Sequence, residues 1–232
     1  AWGLWLPAAR MAEASERVLV GVLAFRGAAH VERSWTATAD YLSAAIPGKH
    51  FEIVPLPLAD LRQATAGGRI DYVLTNSGQY VELEEKFGVS RIATLKKSFS
   101  DGVRNVFGAV IVARADRADI RKLADLKGKV FGAVSRHAFG GFQMAWRELK
   151  AKKLNPFKMF SEIKFFGFPQ DNILLAVRDG SVDAGTVRTD VLEAMAQQGV
   201  VNINDFRVLN RREVPGVNVA LSTRLYPEWP FA

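Results

Sequence analysis

Residues 164–190, Lys-Phe-Phe-Gly-Phe-Pro-Gln-Asp-Asn-Ile-Leu-Leu-Ala-Val-Arg-Asp-Gly-Ser-Val-Asp-Ala-Gly-Thr-Val-Arg-Thr-Asp, decide the fold. An apolar run to Phe168 stops at Pro169, Gln170 and Asp171, and a helical pattern with Ile173, Leu174, Ala176 and Val177 on one side then ends at Gly180. A second short strand over 182–187 delivers Arg188 and Thr189 to the start of the next helix, with Asp190 in its first turn. So compact a strand-helix-strand unit reads as a parallel crossover, and its strand ends, carrying Gln170 and Arg188, open on one edge of one sheet. Ligands of open α/β sheets bind at that edge.

The first half of the chain follows the same plan. A strand over 18–25 leads through Arg26, Gly27 and Ala28 to a helix over 32–45 with Trp35, Ala39 and Leu42 as its core stripe. Strands over 51–56 and 70–74 flank a short helix stopped by Gly67 and Gly68, and Asn76-Ser77-Gly78 opens a further helix to Lys86. At an offset of 112 residues Val18 and Val22 match Val130 and Val134, Pro57 matches Pro169, Gly68 matches Gly180, and Asp71 matches Asp183. The order of strands, helices and glycine stops repeats with these identities, which predicts two lobes of one βαβαβ make. Asn76 and Arg188 then occupy equivalent loops, and facing lobes point both into one cleft. An apolar strand over 107–113 links the copies, a short polar helix is expected over 116–126, and strands are expected over 206–209 and 217–221. The predicted division is 17–105 plus 206–232 for lobe 1 and 106–205 for lobe 2, wired for hinged closure.

Composition narrows the chemistry. The 31 Lys and Arg against 24 Asp and Glu give a net charge of +7, which favours anionic partners. These cations form no 5–8-residue basic run, so no nucleic-acid partner is expected. Without cysteine there is no disulfide, thiolate site or cysteine nucleophile. His30, His50 and His137 lie in separate segments without ligand spacing, so no metal and no cofactor are expected. No run of 18 apolar residues is present. Residues 1–16 read either as a signal-peptide remnant, with Ala12-Glu13-Ala14 as the cleavage site, or as a short amphipathic helix. Trp229 and Phe231 in the aromatic tail suit a membrane interface if a span follows.

The segments Gly180 to Asp190, Phe139-Gly-Gly-Phe-Gln-Met-Ala-Trp146, Asp71-Tyr-Val-Leu-Thr-Asn76, Pro215-Gly216 and Leu225-Tyr-Pro-Glu-Trp-Pro-Phe231 resemble the phosphonate-binding periplasmic protein family. Within it the chain is most similar to the extracytoplasmic sensor domains of two-component histidine kinases of the tetrathionate-sensor type. The resemblance runs from Arg17 over nearly the whole chain. It implies an α/β, two-lobed type II periplasmic-binding-protein fold, each lobe an open, mostly parallel sheet flanked by helices. It also implies a small anion in the inter-lobe cleft, a periplasmic location, and the rest of a membrane-bound sensor kinase as partner; a homodimer is left open. The chain departs from the family's pattern with His137-Ala138-Phe139 in place of a Ser-Thr-x-Ser run, Gln170 in place of a histidine, and Thr75 in place of a tyrosine. These departures point to an anion other than phosphonate, of the sulfur or phosphorus oxyanion class.

The candidate ligand site is drawn from loops after strands. Ser135, His137, Phe139 and Gly140 precede a helix, where free backbone N–H groups converge; the alternative is that the glycines only permit a tight turn. Thr75, Asn76 and Ser77 offer a second nest, or plain helix capping. Arg188, with Thr189 beside it, suits a bidentate oxyanion, unless it pairs with Asp190 or Asp183. Arg26 has the same two options; Gln170 and Asp171 are ligand donor and orienter or a cap; Phe139 is lid or core. No nucleophile has a neighbouring base, so an enzyme is not expected. The reading is a sensor domain that closes on an anion. The rival readings are a free periplasmic solute-binding protein of an ABC transporter and an enzyme on the same fold.

Overall fold

The computed structural model describes residues 15–99 and 102–232, so the reading of the N-terminal residues as a signal remnant falls almost entirely outside the described residues. Two five-stranded sheets carry the chain. The first has the order β2 (Lys49–Leu56), β1 (Glu16–Leu23), β3 (Tyr72–Leu74), β14 (Pro230–Phe231) and β4 (Ala93–Thr94). The second has the order β10 (Glu162–Phe165), β9 (Val130–Ala133), β11 (Ala184–Arg188), β8 (Ala109–Arg114) and β12 (Phe206–Leu209). A hairpin of β5 (Lys97–Phe99) and β6 (Gly102–Arg104) and a short antiparallel pair of β7 (Val106–Phe107) with β13 (Tyr226–Pro227) complete the set. Helices α1 (Ala28–Ala45), α2 (Leu58–Ala66) and α3 (Ser77–Phe87) accompany the first sheet. Helices α4 (Met144–Ala151), α5 (Pro156–Met159), α6 (Asp171–Arg178) and α7 (Val191–Gln197) accompany the second.

The internal repeat is visible in the pairing. In each sheet the first strand of the unit lies between the second and third, all three parallel. Asp71 Oδ2 accepts the N–H of Leu19 at 2.7 Å, and Asp183 Oδ2 accepts that of Val130 at 2.8 Å. Each aspartate thus ties the central strand to the residue that precedes the strand after the crossover. Gly68 and Gly180 take φ values of 60° and 76°, left-handed stops that favour glycine. In β8 the period-2 alternation separates two cores: Val110 and Val112 face the cluster with Ile173, Val177 and Met195, while Ile111 and Ala113 face Phe131, Phe142 and Leu149.

Three expectations differ from the structure. The polar segment 116–126 is a turn with one 3-10 element, Leu123–Leu126, rather than a helix. Arg207 Nη1 and Nη2 hold the carbonyls of Ile120 and Ala115 at 2.8 and 2.6 Å, and Asp125 Oδ2 accepts the N–H groups of Arg121 and Lys122. These side-chain bonds compete with a helical ladder. Residues 217–221 form no strand, because β8 is completed there by side chains: Ser222 Oγ accepts from Ile111 N and Thr223 Oγ1 from Ala109 N. Phe206–Leu209, expected in lobe 1, pairs antiparallel with β8 in the second sheet, where Phe206 and Leu209 are buried. The chain returns to the first sheet only at β14, so we propose that the lobes meet at the β7–β13 ribbon rather than near residue 205.

Asp183 also receives Arg117 Nη1 at 2.6 Å. Burial pushes its carboxyl up, but the hydrogen bonds from Arg117 and Val130 outweigh burial and leave it below the ordinary carboxylate range. Its contribution to stability is therefore complete above the unfolded value of about 3.9 and is lost as pH falls through the lower folded value. Asp183→Ala is expected to destabilise the chain by about 1–3 kcal/mol at neutral pH in urea unfolding, with the difference from wild type shrinking in acid.

Candidate functional site

The loops that follow the parallel strands converge between the two sheets. Leu23 ends β1, and Phe25 and Asn76 come from the loops after β1 and β3; Ala138, Phe139, Gly140, Phe168, Gln170 and Arg188 come from the second sheet's side. Phe107 from β7 and Trp229 from the C-terminal segment close the ends. The space they enclose is about 10 Å³, close to the smallest void that holds one water molecule. Two glycines make this closeness sterically feasible. A Cβ at Gly140 would lie 2.9 Å from Arg188 Cβ, and one at Gly78 would lie 2.7 Å from the Phe139 ring.

Arg188 is the centre. Its side chain is 4% exposed, and Nη2 donates to Glu228 Oε1 at 2.7 Å, with Asp190 Oδ2 at 3.6 Å. The guanidinium carbon lies 4.6, 5.2 and 5.5 Å from the ring centres of Phe107, Phe25 and Trp229, a cation seated among three π systems. The backbone N–H of Arg188 donates to Gln170 Oε1 at 2.8 Å, which fixes the loop. Among the described residues, two buried donors here have no hydrogen-bond partner: Arg188 Nε and Trp229 Nε1. Both side chains line the same void. An unsatisfied buried donor is unfavourable, and here two of them belong to side chains that line one cavity.

Further pairs bridge the two sides. Arg26, in the loop after β1, donates to Asp171 at the head of α6 through Nε at 3.0 Å and Nη2 at 2.5 Å, and to Gln198 Oε1 at 3.1 Å. Gln170 N donates to Phe25 O at 3.2 Å, and Lys97 Nζ lies 3.2 Å from Asp190 Oδ2. Asp190 has φ 76° and makes no helix cap; the left-handed turn sets its carboxylate toward Lys97 and Arg188 instead of toward α7. Burial, then the charge of Arg188, lowers the Lys97 ammonium below its ordinary value. Burial likewise lowers His30, helped by Arg26, Arg33 and Lys97, so the cleft mouth disfavours additional positive charge.

Of the residues singled out from sequence, Asn76, Phe139, Gly140, Gln170 and Arg188 are brought together around the void, and Arg26 and Asp171 bind each other at its rim. Asn76 Oδ1 caps α3 by accepting from Gln79 N at 2.9 Å. Thr75 Oγ1 donates to Gln79 Oε1, Ser77 Oγ to the carbonyl of Pro227, and Thr189 Oγ1 accepts from Gly108 N, all structural bonds. Ser135 and His137 do not line the void, and His137 is exposed. Arg188 pairs with Glu228 and Asp190; Asp183 is held by Arg117. Sequence reasoning missed Glu228, Trp229, Phe25, Phe107 and Lys97. Trp229, expected to suit a membrane interface, is 3% exposed inside the cleft. The signal was an acidic residue in the proline-flanked run Tyr226-Pro-Glu-Trp-Pro-Phe231, where Glu228 has no helical or loop role.

A family model for the periplasmic substrate-binding protein of phosphonate ABC transporters matches residues 20–232. The tetrathionate sensor histidine kinase TtrS of Salmonella typhimurium is 38% identical over 215 residues, 92% of this chain and 36% of that protein. The chain therefore spans about a third of the length of this curated relative. Among solved structures, a binding protein component of an ABC phosphonate transporter from Pseudomonas aeruginosa aligns with a TM-score of 0.75 at 15% identity, covering 94% of this chain and 68% of that one. A Prochlorococcus marinus protein in complex with methylphosphonate aligns with a TM-score of 0.72 at 14% identity, covering 94% of this chain and 76% of that one. The architecture is the two-lobed type II periplasmic-binding-protein fold.

The Arg188–Glu228 pair has a stability signature. Replacing one member leaves a buried charge uncompensated, whereas replacing both leaves an apolar core. Arg188→Met alone is expected to lower unfolding free energy by about 3–5 kcal/mol, and Arg188→Met with Glu228→Leu to lower it by clearly less, both read from urea denaturation.

Proposed function

The chain belongs to the phosphonate-binding periplasmic substrate-binding family, and on that premise we propose that it is the extracytoplasmic ligand-binding domain of a sensor histidine kinase, taking a sulfur oxyanion between its lobes. The single observation that carries the ligand class is the pair of buried, unpartnered donors, Arg188 Nε and Trp229 Nε1, on one cavity. Two convergent N–H groups, one of them on a cation, suit an acceptor that is anionic. The walls support one class of anion over another. Phe25, Phe107, Phe139, Phe168 and Trp229 are apolar surfaces that cannot replace the hydration shell of a strongly hydrated phosphate. Arg188 and Lys97 already face Glu228 and Asp190, and Arg26 faces Asp171, so little uncompensated charge is left for a dense dianion. A diffuse, polarisable sulfur oxyanion suits those walls in an arrangement of the lobes wider than this one, whose void of about 10 Å³ holds one water molecule, and the name of the relative TtrS agrees with that class.

Signalling follows from contacts that join the lobes. Arg26–Asp171, Lys97–Asp190 and Arg188–Glu228 each link residues carried by different sheets or by the segments between them. An anion that binds between Arg188 and Trp229 favours the closed arrangement only to the extent that it binds that arrangement better than the open one. The rest of the kinase is the partner that reads the change. A free transporter component is the alternative, favoured by the family description; a membrane-spanning segment encoded after Ala232 excludes it.

Titration calorimetry with tetrathionate, thiosulfate, sulfate, phosphate and methylphosphonate tests the ligand class. Trp229→Phe keeps an aromatic face but removes the indole N–H together with the five-membered ring that carries it, and is expected to weaken binding of the preferred sulfur oxyanion about tenfold. Tight phosphate or methylphosphonate binding with no response to sulfur oxyanions refutes the assignment, and an unchanged Kd in the Trp229→Phe variant removes the indole from the site.

A further inference from the structure

Much of the chain's net positive charge lies in one stretch of the second lobe. Residues 136–164 hold seven Lys and Arg against two Glu, a net +5 out of +7 for the whole chain. One of those two glutamates, Glu148, is 2% exposed and held by Arg212 Nη2 at 2.8 Å, so it does not offset charge at the surface.

The same part of that lobe exposes aromatic side chains. Trp146, Phe157 and Phe165 are 37%, 44% and 40% exposed and all pack on the buried ring of Phe142, at centroid distances of 6.4, 5.9 and 5.6 Å. Trp146 and Phe157 also meet edge to face at 6.0 Å, so the three rings form one patch rather than isolated exposed residues. Cations frame it. The Arg136 guanidinium lies 4.7 Å over the Phe157 ring, Lys158 follows Phe157 on α5, Lys150 stands one helical turn after Trp146 on α4, and Lys153 follows the end of that helix. Lys150, Lys153 and Lys158 are exposed.

We propose that this face rests on an anionic lipid bilayer surface. Rings with an amphipathic rim of lysine and arginine are the composition that the boundary between headgroups and acyl chains selects: aromatic bodies lie at the headgroup level while cations reach phosphate. A second copy of the chain is a poorer occupant, because a two-fold contact sets the same cations against one another. The inference stands on residues outside the ligand cleft and does not depend on which anion binds there.

Flotation of the chain with phosphatidylcholine vesicles, with and without phosphatidylglycerol, tests it. Binding is expected only to the anionic vesicles and is expected to weaken as salt is raised. Joint Lys150→Glu, Lys153→Glu and Lys158→Glu substitution is expected to lower partitioning about a hundredfold, roughly fivefold for each cation removed. Trp146→Ala with Phe157→Ala is expected to weaken it without changing the net charge. Arg69→Glu, Arg91→Glu and Lys96→Glu, exposed positions on the first lobe's side, reverse the same amount of charge and are expected to leave partitioning within a few fold of wild type. Equal loss in both triple variants reduces the effect to overall charge and overturns the proposal. So does an absence of binding by the wild-type chain, or self-association by sedimentation that Trp146→Ala with Phe157→Ala abolishes while vesicle binding stays unchanged.

Discussion

A guanidinium with 4% exposure has to be neutralised, and Arg188 organises the space between the sheets around that requirement. Its position is dictated by the last residue of a central, fully buried strand, so it cannot turn outward without breaking the register of β11 with β8. Taking a charge out of water costs several kcal/mol unless it is paired and surrounded by favourable dipoles. Glu228 supplies the pairing at 2.7 Å, and three aromatic faces supply the rest. Nη2 is satisfied by that arrangement and Nε is not. The site is therefore a cation held at almost no net charge with one donor left over.

Local backbone choices around the cleft serve the same packing. Gly140 has no room for a Cβ against Arg188, and Gly78 has none against Phe139, which is why the helices starting there can press their first turns into the cleft. Phe139 meets Phe107 at 6.1 Å and Tyr226 at 5.0 Å, both edge to face, so it bridges the second sheet to the β7–β13 ribbon. Its role as wall and its role as core coincide, and the two readings open at the sequence level do not exclude each other.

What could be read from sequence was what repeats locally. The apolar runs, the glycine stops and the strand-helix-strand order at an offset of 112 residues identify two copies of one unit, because period and punctuation are short-range properties. Arg188, Asn76 and Gln170 were accessible for the same reason: each stands at the end of a strand or in the loop that follows one, where the pattern marks the strand's end. Glu228 and Trp229 were not, since they reach Arg188 from 40 residues away through a segment with no periodicity. The split of the cations shows the same limit. Arg26 and Arg188 look alike in sequence, yet one is matched to Asp171 and the other to Glu228, pairings that only the tertiary arrangement determines. Segment 116–126 failed in the opposite way: its composition suits a helix, but Arg207 from β12 captures its carbonyls.

The C-terminal segment is where the separate parts meet. Tyr226 pairs with Phe107 in the ribbon between the sheets, Glu228 neutralises Arg188, Trp229 stands beside the same void, and Phe231 pairs with Leu74 of β3 and with Ala93 of β4. Glu228 Oε2 accepts the backbone N–H of Trp229 at 3.2 Å, so the carboxylate that compensates the arginine also holds the main chain that carries the indole. Glu228 N donates to Asn105 O at 2.7 Å, which ties the same residue to the outgoing connection between the lobes. Any change in the hydrogen bonding of Arg188 therefore acts on a strand already anchored in the first sheet and on both connections at once. Six consecutive residues thus carry ribbon, counter-ion, donor and sheet edge.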